Sequence, residues 1–312
     1  MKDSLMKRAG CGVRHEELFA GKGGKMGKRH KIAGTVKKYT VTMAVAGLGI
    51  SFLLPVLILL SGSLADALEW QGRAEALALD TEGYVDWKWI PDYPTLEQYK
   101  RLLFYSPAFL KLFWNSVRMA GMILAGQLLV GIPGAWALAS FRFKGRGALF
   151  TGYVILMLLP FQVTMLSRYL VVRQLGLLDT AGAVTLPAVF STFPVFLVYR
   201  SFRSIPPELP EAARIDGAGE WRIFVRIGIP LARGGILAAM VLDFLESWNM
   251  VEEPLAFLKD KSLWPLSLYL PEIGLSQAGF SCAASLVTIC MSWFVFRIFS
   301  DSLEKGIINS GL

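Results

Sequence analysis

Six stretches of the chain are apolar enough, and long enough, to read as membrane helices. A spanning helix needs about 20 mostly apolar residues, and windows of that kind fall at roughly 39–64, 113–140, 148–167, 180–200, 233–251 and 277–299. Between the fourth and fifth windows lies a segment of another character. PEAARIDGAGEWRIFVRIGIP, residues 210–230, is charged, amphipathic and punctuated by glycine. The pattern predicts an all-α polytopic protein with six transmembrane helices, a basic flexible tail at 1–38, a membrane domain at 39–312 and a polar loop at 201–232. Residues 65–112 mix charge with Trp and Tyr, and WKWIPDYPTLEQYKRLL is expected to lie along the membrane interface, where aromatic rings favour the headgroup level.

Composition agrees with the pattern. Of 312 residues 54% are hydrophobic and 18% charged, against about 25% charged in soluble domains. A soluble protein this apolar would expose large greasy patches. The first window follows a basic stretch, and Ala65-Asp66-Ala67 resembles a small-residue cleavage site. Its apolar run is far longer than the roughly 7–15 residues of a signal core, so an uncleaved anchor is expected. Three cysteines imply no disulfide framework. Cys11, His15 and His30 match no metal-ligand spacing.

Charge then sets the expected orientation. Of 32 Lys and Arg, 11 lie in the 1–38 tail, 3 in FRFKGRG at 141–147 and 5 in 200–232. The segments at 65–112, 168–179 and 252–276 carry only 5, 2 and 2. The positive-inside rule therefore places both termini and the 200–232 loop in the cytoplasm. Six crossings are what two cytoplasmic termini require.

The loop reads as two short helices. Ser204-Ile205-Pro206-Pro207-Glu208 looks like a helix start, because proline suits a first turn whose N–H groups lack partners. The helix carries Glu211, Ala212, Ala213 and Arg214, passes Asp216 and stops at Gly217, a residue able to take a left-handed cap. Glu220 follows Gly219 at the expected positive end of a second helix. On that helix Ile223, Phe224 and Ile227 share one face and Arg222 and Arg226 another, and Pro230 is expected to end it. These residues alone leave two readings open: a solvated connection with interfacial helices, or a surface that docks in a partner's groove.

Catalytic signatures are missing. No G-x-x-x-x-G-K-[ST] phosphate loop, H-E-x-x-H or G-x-S-x-G occurs, and both histidines lie in the tail. AGKGGKMGKRHK reads as a basic arm suited to the anionic inner leaflet rather than to nucleic acid. No catalytic, metal or cofactor-binding residue is assigned to this chain.

Polar residues inside spans mark a candidate path. Asp243 and Glu246 stand three apart in the fifth span, with Trp248 and Asn249 beside them. A charged Asp at mid-bilayer costs about 2.5–3.5 kcal/mol on insertion scales, so these acids are expected to face the bundle or to pair, with Arg118 one possible partner. Either reading stays open: a pathway, or a structural inter-helix pair. Gln162 in the third span and Ser285 in the sixth complete the candidate path. The sixth span's stripe of Ser281, Ser285, Thr288 and Ser292 is expected mainly to bond another helix. Gly131, Ala135 and Ala139 form a small-residue stripe, Trp136 reads first as a packing residue with sugar stacking the alternative, and Pro160 and Pro194 are expected to break helices.

Family resemblance sharpens the loop. Glu211-Ala212-Ala213, Gly217 and Ile227 to Pro230 resemble, in order and spacing, the EAA motif of ABC-importer permeases, with Ile229 where that family usually has Leu and Pro210 where it usually has an acid. WNS at 114–116, ALASFRFKGRG at 137–147, LGLLDT at 175–180, SWN at 247–249 and PLSLYL at 265–270 are similar to the carbohydrate branch, the maltose-transporter-type second permease. The C-terminal EKGIINSGL lacks that branch's usual final Lys-Gly. The resemblance implies the type I importer fold in a bacterial plasma membrane. It also implies a second homologous permease subunit, an extracytoplasmic solute-binding protein and two ATP-binding subunits seated on coupling helices at 206–228. ATP and Mg would then be bound by those partners. Sugars or oligosaccharides are the implied solutes. A type I permease for polyamine or phosphate, or a membrane scaffold, are the alternatives.

Overall fold

The computed structural model describes residues 20–70, 88–273 and 277–310. Cys11, His15 and Trp87 lie outside the described residues, as does the end of the EKGIINSGL tail. The chain divides into two units, Met1–Ile58 and Leu59–Leu312.

Helix α1, Ala20–Leu64, begins well before the first predicted span, so residues 20–38 are helical rather than a flexible arm. Extending an existing helix costs far less than starting one, which lets the apolar span carry its glycine- and lysine-rich prefix. Over Tyr39–Leu57 the apolar side chains of α1 are exposed all round, as expected of a helix surrounded by lipid.

In the second unit α2 is Glu97–Phe104 and α3 is Pro107–Ser140. Helices α4, Arg146–Leu158, and α5, Phe161–Gln174, follow, then α6, Ala181–Val189, and α7, Thr192–Arg203. The short α8, Glu208–Ile215, precedes α9, Glu220–Trp248, then α10, Glu252–Phe257, α11, Leu266–Tyr269, and α12, Ala278–Ser310. No strand occurs among the described residues. Helix α9 is central, packed against α12, α7 and α3, and α7 packs on the second half of α3.

Five helices are long and apolar enough to cross a membrane, and α4 with α5 makes a sixth span only as a pair bent by 109°. The third span expected over 148–167 is thus a broken one, and it runs on to Gln174. Pro160, extended at φ −65° and ψ 150°, is the N-cap of α5 and marks the expected break. Pro194 does not break the fourth span. The interruption falls at Phe190 and Ser191, and Pro194 sits in the first turn of α7, where its missing N–H costs nothing. Pro230 likewise ends no helix, because α9 runs through it from Glu220 to Trp248. A π-turn at Phe224–Gly228, closed by Ile229 N–H to the Phe224 carbonyl, widens the helix just before the proline. The hydrogen bond that proline removes is absorbed in that wider turn.

A second π-turn, Gln127–Gly131, repairs the broken fourth span. The Gln127 side chain, 1% exposed, donates Nε2 to the Ala188 and Ser191 carbonyls, both at 3.3 Å. Ala188 lies in the last turn of α6, whose carbonyls need donors when buried, and Ser191 is the N-cap of α7. A Cβ on Gly131 would strike Gln127 Oε1, so this glycine makes room for that side chain. Ala135 and Ala139, in the same stripe, are buried against α7, the close approach expected of small residues. Gln127→Ala removes one donor from each carbonyl, although Ser191 N–H still bonds the Ala188 carbonyl at 2.9 Å, and is expected to cost about 0.5–1.5 kcal/mol per hydrogen bond lost, read as a lower Tm of the detergent-solubilised protein.

Candidate functional site

The α8 helix is built as a short projecting elbow. Pro207 is its N-cap, and Gly217 ends it at φ +80°. Gly217 N–H bonds the Arg214 carbonyl at 3.0 Å and Ala218 N–H the Ala213 carbonyl at 2.9 Å, so the left-handed stop needs a residue without Cβ. Arg214 Nε donates to Glu220 Oε1 at 2.6 Å and Nη2 to Oε2 at 3.2 Å, stapling α8 to the start of α9. That bond holds Arg214 even further above its usual range.

Beneath the elbow sits an aromatic core. Trp136 of α3 meets Phe202 of α7 at 5.1 Å between ring centroids, edge to face, and Phe224 of α9 at 5.7 Å. Gly228, at the end of the π-turn, admits Trp136 so closely that a Cβ there would lie 2.7 Å from its ring. Ile223 is buried in the same core, while Ala213 and Ile227 are packed against it.

The predicted docking residues divide on this geometry. Glu211, Ala212, Asp216, Gly217, Arg222 and Pro230 are exposed. Phe224, 4% exposed, turns inward with Ile227 and Ala213, so a docking contact by Phe224 is corrected to an anchoring role. Its apolar face is buried by the chain's own α3 and α7 before any partner arrives. The sequence reading passed over Leu209, Ile215 and Trp221, exposed at 45%, 87% and 71%. Their signal was present as three large apolar residues in an otherwise charged run.

The polar residues of the spans also separate. Asp243, 2% exposed, lines a cavity of about 210 Å³ with Glu246, Ser247, Arg168 and Glu253 at the broken third span. One Asp243 oxygen, Oδ2, is buried with no hydrogen-bond partner. Arg118 is exposed and pairs with neither acid among the described residues. The cation of this cavity is instead Arg168 of α5, 3.2 Å from Glu253 of α10. Burial pushes the Glu253 carboxyl up, against the downward pull of Arg168. Gln162 lies outside the lining and donates to Glu252 at 3.4 Å. Trp248 is core, stacked on Phe244 at 5.6 Å and edge-on to Phe113 at 5.8 Å. Asn249 donates Nδ2 to the Leu245 carbonyl at 2.8 Å and so finishes α9. Ser285 and its stripe make no inter-helix hydrogen bond among the described residues, and Thr288 bonds back to Ala284 on its own helix. Of the expected path residues, Asp243 and Glu246 alone line the cavity.

Comparison with known proteins now decides the family. Residues 128–307, from the π-turn of α3 into α12, match the family described as "Binding-protein-dependent transport system inner membrane component". The chain belongs to this family. It is similar to the lactose transport system permease protein LacG of Rhizobium radiobacter, 32% identical over 206 residues, covering 64% of this chain and 74% of that protein. It is also similar to the arabinooligosaccharides transport system permease protein AraQ of Halalkalibacterium halodurans, 28% identical over 281 residues, covering 89% and 97%. Its fold matches a chain of a bacterial ABC transporter involved in alginate import, at a TM-score of 0.69 and 21% identity, covering 86% of this chain and 96% of that one.

Two of the motifs shared with the carbohydrate branch of this permease family, WNS and LGLLDT, turn out to hold one loop. Asn115 of WNS donates Nδ2 to the Ser262 and Trp264 carbonyls at 2.9 and 3.1 Å. Ser116 Oγ accepts from Leu266 N–H at 2.8 Å. Asp179 of LGLLDT, at φ +59°, accepts with Oδ1 from the N–H groups of Lys259 and Asp260, both at 2.9 Å. These residues clamp 259–266 at the end of the permease opposite α8.

For the cavity, Asp243→Asn preserves shape and removes a buried acid with an unpartnered oxygen. The amide carries no charge to desolvate, and burying an unpaired charge costs more than burying a neutral polar group, so the variant is expected to match or exceed the wild-type Tm in detergent. Solute uptake by cells carrying it is nevertheless expected to fall. Uptake that simply follows Tm would reduce Asp243 to a packing residue.

Proposed function

We propose that this chain is one of two membrane-spanning permease subunits of a binding-protein-dependent ABC importer for sugars or oligosaccharides. Its termini and α8 face the cytoplasm, in a bacterial plasma membrane. Two ATP-binding subunits carry ATP, Mg and the hydrolysis step, and an extracytoplasmic solute-binding protein delivers the solute. This chain performs no chemistry itself.

The observation that carries the reading is the exposed elbow. Leu209 and Ile215 present apolar surface beside Glu211 on the short α8, with Trp221 next to them in the first turn of α9, the form that a groove on a partner accepts. The elbow is packed on the start of α9 and, through Ala213, on the core shared by α3, α7 and α9, so displacement of the docked partner is transmitted to the spans and turns the cavity from one side of the membrane to the other. Charge supports the orientation, since the 141–147 turn and the 200–232 segment next to α8 are rich in Lys and Arg. The names of the relatives support carbohydrate as cargo. The cavity is also smaller than the roughly 300 Å³ at which small-molecule sites begin. That size suits half of a path completed by a second permease subunit.

Glu211→Lys tests the docking. Reversing an interface charge costs about 2–5 kcal/mol of association, more than tenfold in affinity. The variant is expected to insert normally, to lose co-purification of the ATP-binding subunit and to lose uptake across a panel of radiolabelled disaccharides. Wild-type uptake with wild-type co-purification would count against α8 as the docking element.

A further inference from the structure

Between α8 and the turn joining α3 to α4 lies a second cavity, of about 470 Å³. Four guanidinium groups line it, from Arg142, Arg146, Arg203 and Arg214, against the carboxylates of Glu211 and Glu220. The Arg214–Glu220 pair is internally neutralised. Arg146 donates Nη1 to the Phe141 carbonyl and Nη2 to the Ala139 carbonyl, both at 3.2 Å. These bonds fix its position and leave its charge uncompensated. Arg142 and Arg203 make no hydrogen bond or ion pair among the described residues. Three positive charges thus face Glu211 alone. Trp136 closes part of the wall, and its buried Nε1 has no hydrogen-bond partner.

Such a concavity has the chemistry of an anion site. Guanidinium forks match the oxygens of phosphate, and several forks around one cavity suit an anion that presents more than two oxygens. The rim is apolar as well. Phe141 lines the cavity, and Phe141, Phe143 and Leu149 are 37%, 45% and 54% exposed. We propose that this cavity binds a phosphate group, supplied by the headgroup of an acidic membrane lipid or by a free phosphate. The α3–α4 turn and α8 supply opposite walls, so the bound phosphate bridges the elbow to the second and third spans. The site does not depend on ATPase docking, and it is tested on the full chain alone.

Native mass spectrometry of the full chain, released from nanodiscs of equal phosphatidylglycerol and phosphatidylcholine, reads lipid binding. Calorimetry with inorganic phosphate reads the free anion. Wild type is expected to retain phosphatidylglycerol preferentially, to bind phosphate, or both. The double variant Arg142→Gln, Arg203→Gln is expected to weaken that binding about tenfold or more. Arg173→Gln, on the other side of the permease, leaves it unchanged and controls for bulk charge, while an unchanged Tm controls for folding. Arg142→Lys keeps charge without the fork and is expected to fall between. Lipid retention without phosphate binding assigns the lipid, and phosphate binding without lipid preference assigns the free anion. No lipid preference and no phosphate binding by wild type, or equal binding by wild type and double variant, overturns the proposal. So does protection of these arginines from phenylglyoxal by the ATP-binding subunit alone.

Discussion

Everything the elbow can do rests on how it is seated. Trp136, Phe202 and Phe224 come from three different spans and meet within one ring cluster directly under α8. Aromatic contacts of this kind add about 0.5–1.5 kcal/mol each beyond their burial, and protein cores are too densely packed to deform gradually. A helix joined to such a core by Ala213, by the Arg214–Glu220 staple and by the left-handed stop at Gly217 has few ways to move by itself. Force applied to its outer face passes into α3, α7 and α9 together. Gly228 is what permits the close seat, since any side chain there meets the indole.

The other end of the permease is organised by polar clamps instead. Asn115, Ser116 and Asp179 hold the 259–266 loop through backbone groups. The broken third span leans on α10 through Arg168 and Glu253. Between the two ends, the acids of the cavity outnumber its single Arg168. The rigid aromatic seat and the polar gap thus sit in the same helices, α9 above all, which supplies Phe224 to one and Asp243 to the other.

Much of this was legible in the sequence. The spans follow from apolar length, the stop at Gly217 from glycine after a helix, and the break at Pro160 from a missing N–H. Pro230 misled because its effect depends on the π-turn at 224–228, which has no simple sequence mark. Phe224 misled for a related reason: amphipathicity says that one face of a helix is apolar, but not whether the chain or a partner covers it. The Arg168–Glu253 and Gln127–Ser191 contacts join residues 85 and 64 positions apart, beyond the reach of local pattern. Gln127, an amide in an apolar run, is not among the polar span residues that the pattern singled out, although such a residue needs buried partners. LGLLDT and WNS were visible as motifs, but their work as loop clamps appeared only with the hydrogen bonds.

Rigid coupling between elbow and spans is tested most directly by pulsed electron–electron resonance within this one chain. Spin labels at Glu208 on α8 and Lys144 on the α3–α4 turn, in the assembled transporter, report whether the two move as one body. The distance distribution is expected to be the same in the nucleotide-free and ATP-trapped states, while distances from Glu208 to a label on the second permease subunit change. A shift of the Glu208–Lys144 distribution on trapping would show α8 pivoting on its own, and would contradict transmission through the aromatic seat.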